Sequence, residues 1–331
     1  MQFRTEFSIP ASSWKINLNS RVISLGSCFA EVLGKRLQYL KLSSTLNPFG
    51  TLFSPTAMFK LIRMALTDQP ADDRLFLQVD DYWLHYDYHS SISANNKAVL
   101  KEHIQELHKE LKEKLRNVDV LVLTFGTAWN YRLPEPVTYV ANCHKQPARL
   151  FERNLLSVKE ICEEFGQIYH LLHDINPGLH IILTVSPVRH AKDGMTDNAV
   201  SKSILRAACH YLTVDSPVSY FPAYELLLDD LRDYRFYASD LLHPSEQAEQ
   251  YIFEKFEQTY FDETLKTFAV DWQKIQKALH HRPFQEYSKA TQRFLDKLLL
   301  ELRELPVDVS EEIETVEKRI KKIASHSNAS F

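Results

Sequence analysis

Asp240 and His243 stand three residues apart in ASDLLHPSEQAEQYIF, just ahead of a helix opened by Pro244 and Ser245. On a turn, that spacing lets the carboxylate reach Nδ1 of the histidine, which fixes the tautomer and leaves Nε2 as a base. Such a base needs a nucleophile, and ISLGSCFAEVLG (residues 23–34) offers two adjacent ones, Ser27 and Cys28. Both sit where an apolar strand-like run turns into the start of an amphipathic helix. A helix N-terminus favours an anion and is expected to lower a thiol's pKa, which makes Cys28 a candidate thiolate. The Ser27 hydroxyl would need the base to become nucleophilic at all. Against the Asp240–His243 reading stands a plain alternative, a surface turn whose aspartate caps the next helix.

Two further stretches carry polar groups to the same neighbourhood. VSPVRH places Ser186, Arg189 and His190 at a strand end, where Arg189 or His190 can bind a carboxylate or phosphate, or merely face solvent. NCHK supplies Asn142, Cys143, His144 and Lys145; His144 and Lys145 are expected as polar wall residues for an anionic substrate group. Cys28, Cys143, His144 and His243 carry zinc-type ligand atoms, but no pair has the spacing of a metal motif, so no metal and no other cofactor is expected.

The elements that must position these groups read as an α/β alternation. Apolar, β-branched runs at 21–26, 43–47, 118–126, 180–188 and 217–224 predict strands. The first, third and fourth lack period-2 alternation, as expected of a parallel sheet covered on both faces. Leu100, Ile104, Leu107, Leu111 and Leu115 predict one helix, and 155–173, stopped by Asn176-Pro177-Gly178, another. The chain has only seven glycines, all before residue 195, against an average usage of about 7 per cent, so each is expected where backbone geometry demands it. Gly26, Gly50 and Gly126 fall near strand ends, where an α/β protein keeps its site. The aromatic and histidine-rich stretch at 75–96 predicts a hairpin, either a wall over the site or simply packed. Cys162 and Cys209 are expected as small core residues.

At this point a resemblance enters. Gly26-Ser27-Cys28-Phe29-Ala30, with NPFGTLFSP, FGTAW, NCHK and DLLHPS, resembles the signature stretches of the GSCFA family across roughly residues 1–260. That family is grouped with the SGNH, or GDSL-like, hydrolase superfamily. The resemblance implies a flavodoxin-like, SGNH-type fold with a mostly parallel sheet and helices on both faces. It also implies Cys28 in the nucleophile's register, Asp240 and His243 as the Asp-x-x-His block, and Gly50 as an oxyanion-hole amide donor. Gly126 opens the third block, but Ala128 stands where the superfamily's oxyanion-binding asparagine belongs. Asn130 or Asn142 is the expected substitute. One such donor contributes roughly 3 kcal/mol of transition-state stabilisation.

Composition bounds the rest. With 44 per cent hydrophobic and 25 per cent charged residues and a net charge of −4, the chain reads as a globular protein without a nucleic-acid or anionic-membrane footprint. No apolar run is long enough to span a bilayer, and the first residues lack the apolar core of a secretory signal. A cytoplasmic protein with reduced thiols is expected. Two domains are expected, an α/β domain at 1–262 and a helical extension at 263–331. The resulting expectation is an esterase or acyltransferase working through a covalent acyl-enzyme on a small-molecule or carbohydrate-linked acyl substrate. A non-catalytic binding module on the same fold is the rival, and the oligomeric state stays open.

Overall fold

A computed structural model describes residues 4–329, with side chains to residue 326; the outermost ends of both expected domains lie outside the described residues. In chain order the elements are β1 (Arg21–Gly26), α1 (Cys28–Tyr39), β2 (Ser43–Leu46), α2 (Pro55–Leu66), β3 (Phe76–Val79), β4 (Tyr82–His85), α3 (Lys97–Asn117), β5 (Val120–Phe125), β6 (Trp129–Pro134), β7 (Val137–Val140) and β8 (Glu152–Leu155). There follow α4 (Val158–Ile175), β9 (His180–Val185), α5 (Met195–Thr213), β10 (Ser219–Tyr220), α6 (Ala223–Glu225), α7 (Glu246–Tyr260), α8 (Glu263–His280), α9 (Lys289–Arg303) and α10 (Ser310–Ala329).

The central sheet runs β10-β9-β5-β1-β2, and every pairing in it is parallel. Counted among its own strands in chain order, this is 2-1-3-4-5, the flavodoxin-like order, and its direction reverses between β1 and β5. The carboxyl ends of those two strands open a crevice, and Gly26 and Gly126 lie there. All six residues of β5 are buried, as are five of the six in both β1 and β9, which explains the unbroken apolar runs. Each fully buried Leu, Ile or Val contributes about 1.5–3 kcal/mol. The fifth strand is shorter than the sequence pattern predicts, because after Tyr220 the run 221–224 turns into α6.

The helices begin and end on legible signals. Asn96 caps α3 by accepting from the Ala98 amide, and Ser157 with Glu160 forms a reciprocal capping box on α4. The inward stripe of α3 differs from the predicted one at a single place. His108 is buried and Leu107 only half-buried, because the His108 ring meets the Tyr88 hydroxyl at 2.6 Å. Burial pushes the His108 imidazole down to about 4, so it stays neutral. Asn176 closes α4 by donating to the Leu115 and Val118 carbonyls. Cys209 is fully buried and Cys162 half-buried, as expected of core thiols.

Two small sheets complete the α/β region. β3 and β4 form the predicted hairpin, with Phe76 opposite His85. β6, β7 and β8 form an antiparallel sheet that periodicity did not announce, in the order β7-β6-β8. Each strand is only four to six residues long and mixes apolar with polar residues, too short for alternation to register.

By its internal packing the chain divides into two units. The first comprises the chain as far as Ser12, Asn19–Gln38 and Leu42–Thr259, and carries all three sheets. The second gathers Ser13–Leu18 and Tyr39–Lys41 with the chain from Tyr260 onward. Within it, Leu265, Phe268, Trp272 and Ile275 of α8, Leu295, Leu298 and Leu302 of α9, and Val316 and Ile323 of α10 are buried. The Trp272 indole donates to the Tyr39 carbonyl at 2.6 Å, and Lys41 pairs with Glu312 at 2.7 Å. Among the described residues no helix is long and apolar enough to cross a membrane.

Candidate active site

The strand-to-helix elbow is built on Gly26. Its φ is +138°, and a Cβ there would fall 2.2 Å from the Thr124 carbonyl oxygen of the neighbouring strand. Glycine alone tolerates both the angle and the approach. The elbow is then pinned by the Ser27 amide on Thr124 O (3.1 Å), the Gly26 amide on Asn47 Oδ1 (2.8 Å) and the Leu52 amide on Gly26 O (2.9 Å). Ser27 and Cys28 are thereby delivered to the crevice.

They arrive in different states. Ser27 is 2 % exposed, and its hydroxyl is buried with no hydrogen-bond partner among the described residues. Cys28 is partly exposed at the first position of α1. Its thiol is not the depressed one expected of a helix N-terminus. Burial pushes it above the usual value, outweighing the bond from its own amide, and Glu31 adds a smaller push in the same direction. At neutral pH the proton is still on sulfur. Alkylation of Cys28 by iodoacetamide is therefore expected to rise with pH through a midpoint above that of an ordinary thiol; a midpoint at about pH 7 or below would reveal a preformed thiolate.

The candidate base is assembled by a tight turn. His243 Nδ1 lies 2.6 Å from Asp240 Oδ2, while Asp240 Oδ1 accepts from the Leu242 and His243 amides at 2.9 and 3.0 Å. These bonds, backbone first, hold the Asp240 carboxyl down to about 2. Leu241, between them, takes a left-handed φ of 60° that leucine adopts only under constraint. The Arg189 amide donates to Leu242 O at 3.2 Å, tying the turn to the segment after β9.

Ser27, Cys28, Gly126, Ser186, Arg189, His190 and His243 all line one cleft of ≈ 240 Å³, with Phe53, Val188 and Leu242 as apolar walls. Residues from five separate stretches thus meet at the switch point of the sheet.

Other expected site residues are placed elsewhere. The Gly50 amide is bonded to Asn47 O at 2.7 Å, and Gly50 does not line the cleft. Its φ of +74° and a would-be Cβ contact of 2.2 Å with His89 make it a packing glycine, not an oxyanion donor. Gly126 lines the cleft, but its amide and that of Thr127 both donate to Phe53 O. Asn130 is buried, donates to Thr56 Oγ1 at 2.7 Å and lines a different hollow, so it does not replace the asparagine missing at Ala128. Asn142 accepts from the His144 amide, and His144 is buried with Nε2 2.9 Å from His85 O. Neither they nor Lys145 line the cleft, because the NCHK turn packs under the β3–β4 hairpin segment. That hairpin is likewise packed and not a wall: His85 and Tyr88 are fully buried. Cys143, His144, Cys28 and His243 do not converge; among the described residues no group of three or more His, Cys, Asp or Glu is placed to hold a metal ion.

The floor of the cleft rests on residues that sequence reading passed over. Lys202 is 1 % exposed, and its ammonium donates to Gly126 O at 2.8 Å and Ser186 O at 2.7 Å, bridging the ends of β5 and β9. Ser201 Oγ accepts from the Ala128 amide and meets Thr127 Oγ1, and Asn198 Oδ1 accepts from the His190 amide. A signal was available, since Asn198, Ser201 and Lys202 fall in helical register with the buried Leu205, Ala208 and Cys209. Burial pushes the Lys202 ammonium down to about 7. Between there and the ordinary lysine value of 10.5 the unfolded chain holds one proton more than the folded one, so the Lys202 contribution to stability rises with pH across that window. Urea unfolding between about pH 7.5 and 9.5 is expected to show that slope, up to about 1.4 kcal/mol per pH unit, reduced in Lys202→Met.

Comparison with known proteins follows the same residues. The model of the GSCFA family matches residues 21–256, and that of the GSCFA domain protein C-terminal domain matches residues 272–322. No curated protein matches the chain. Among solved structures, that of a carbohydrate esterase family 3 from Talaromyces cellulolyticus aligns with 9% identity and a TM-score of 0.34, over 76% of this chain and 97% of the other.

Proposed function

The chain belongs to the GSCFA family, and from that premise we propose that it transfers acyl groups from esters, to water or to an acceptor alcohol or amine, through a thioester on Cys28. One observation carries the reading: a single cleft is lined by Cys28 and by His243, whose other ring nitrogen is held 2.6 Å from Asp240. Sγ attacks the acyl carbonyl carbon and its proton passes to His243 Nε2. The carbon–oxygen bond of the ester then breaks, and the same proton goes to the departing alkoxide. Water or an acceptor then attacks the thioester, gives up its proton through His243, and Sγ leaves and is reprotonated. Because burial keeps the thiol protonated, His243 acts as a general base during attack and not as the counter-ion of a standing thiolate. The oxyanion is assigned to the Cys28 amide at the start of α1, which would leave the thiol it bonds at rest. Cys28 is preferred to Ser27 because the serine hydroxyl is sealed from solvent.

A binding module is favoured by one observation: the Gly50, Gly126 and Thr127 amides are all bonded within the fold, and Ala128 offers no side-chain donor. Incubation with 4-nitrophenyl acetate followed by peptide mass mapping separates the readings. An acetyl group on Cys28, released by hydroxylamine and absent in Cys28→Ala but present in Ser27→Ala, is the expected result. Acetylation at Ser27 would move the nucleophile, and no adduct on the folded protein would leave the binding module.

A further inference from the structure

We propose that the substrate of this cleft carries an oxyanionic group, a carboxylate or a phosphate, that is held by Arg189 and Lys192. The inference deepens the acyl-transfer reading and rests on it for calling the bound molecule a substrate. Arg189 and Lys192 both line the cleft, and no aspartate or glutamate does.

Neither cation has a carboxylate within ion-pair distance among the described residues. The Arg189 guanidinium lies 4.2 Å from the Tyr237 ring centroid and 5.2 Å from that of Tyr234, with neutral polar partners in the Tyr237 hydroxyl and, at 3.4 Å, Tyr234 Oη and Leu241 O. Stacking of this kind fixes the plane of the group and leaves most of its donors unspent.

Apart from Glu249 on α7, which acts on His243 from a distance, the acidic groups nearest the cleft are already committed. Asp240 holds His243, and Asp193 pairs with Arg153 at 3.3 Å and lies 3.5 Å from His190. Glu31, which acts on Cys28 from the same helix, pairs with Lys35 at 2.6 Å. On its far side Arg189 borders a separate hollow with Asp229 and Asp233, neither of them an ion-pair partner. His190 packs edge-on against Phe53, and burial drives its imidazole toward the neutral form, so the anion falls to the two permanent cations. The remaining wall is apolar, with Phe53, Val188 and Leu242 suited to the carbon skeleton that links the anion to the ester.

Two alkylating agents of nearly equal size test the charge. Iodoacetate and iodoacetamide displace iodide from a thiol by the same step and differ in one negative charge. The ratio of their rates at Cys28 is read by peptide mass mapping at low ionic strength, with Cys162 of the same chain as reference. The expected ratio at Cys28 is at least about fivefold that at Cys162, falling toward the reference with added salt, in Lys192→Gln and in Arg189→Gln/Lys192→Gln. Inorganic phosphate and succinate are then added as competitors. Slowing by phosphate alone marks a phosphate-bearing substrate, slowing by succinate alone a carboxylate-bearing one, and slowing by both supports oxyanion recognition without preference. A ratio at Cys28 no higher than at Cys162, or no slowing by either competitor, overturns the proposal. A raised ratio on a protein that never forms acyl-Cys28 retains the anion site and fails the acyl-enzyme reading alone.

Discussion

Replacing His243 by alanine is expected to lower kcat for ester turnover by about 10³- to 10⁴-fold with little change in KM, because in the proposed mechanism the imidazole moves a proton only as the bond to sulfur forms. The rise of Cys28 alkylation with pH should be nearly untouched, since burial, with its own amide and then Glu31, and not His243, sets the thiol's ionisation. That pairing separates a general base from a partner in a thiolate–imidazolium pair, which would lose both together. Asp240→Asn should follow with a smaller loss, as the histidine keeps its place but loses the acceptor that holds Nδ1. Asp240 itself, held down to about 2, stays ionised at all pH values above that, so it contributes no acid limb to a rate profile taken at about pH 4 and upward. Unaltered turnover in His243→Ala would remove it from the chemistry.

Gly26→Ala is expected to cost about 3 kcal/mol or more of stability, read as a lower midpoint of urea unfolding. A methyl group at that position would lie 2.2 Å from the Thr124 carbonyl oxygen, and the φ of +138° is closed to alanine. The obstacle is backbone in the middle of the sheet, not a side chain able to swing away, so the β1–β5 pairing must yield. Whatever protein remains folded should carry a displaced Cys28 and lose acyl labelling. Gly178→Ala provides the contrast, since a Cβ there meets nothing closer than 3.8 Å and its stability effect should be within about 0.5 kcal/mol.

Much of the fold was legible because its signals are local. Buried parallel strands leave unbroken apolar runs, amphipathic helices leave a stripe, and a stop such as Asn176-Pro177-Gly178 lies next to the helix it ends. The Asp240–His243 pair belongs to the same class: three residues on one turn suffice for the carboxylate to reach the ring. Gly26 announced the elbow because a chain so sparing with glycine spends it where a backbone angle requires it. The NCHK and NPFG stretches misled for the opposite reason. They resemble site motifs, yet whether their polar atoms face a ligand depends on residues far away in sequence, here Tyr86 and His85 for one and His89 for the other.

From the sequence alone came the five strands of the central sheet, the helices between them, the two candidate nucleophiles and the candidate base. All of these rest on interactions within a few residues or on the periodic burial of apolar surface. Only the tertiary structure set the two candidate nucleophiles apart in exposure, burying the Ser27 hydroxyl and leaving Cys28 partly open, and only it set the sign of the Cys28 shift. Desolvation is a sum over every neighbour that displaces water, and the residues that share the cleft with Cys28 come from separate stretches of the chain. The same holds for Lys202, an ordinary lysine on a helix until two strand ends close over its ammonium.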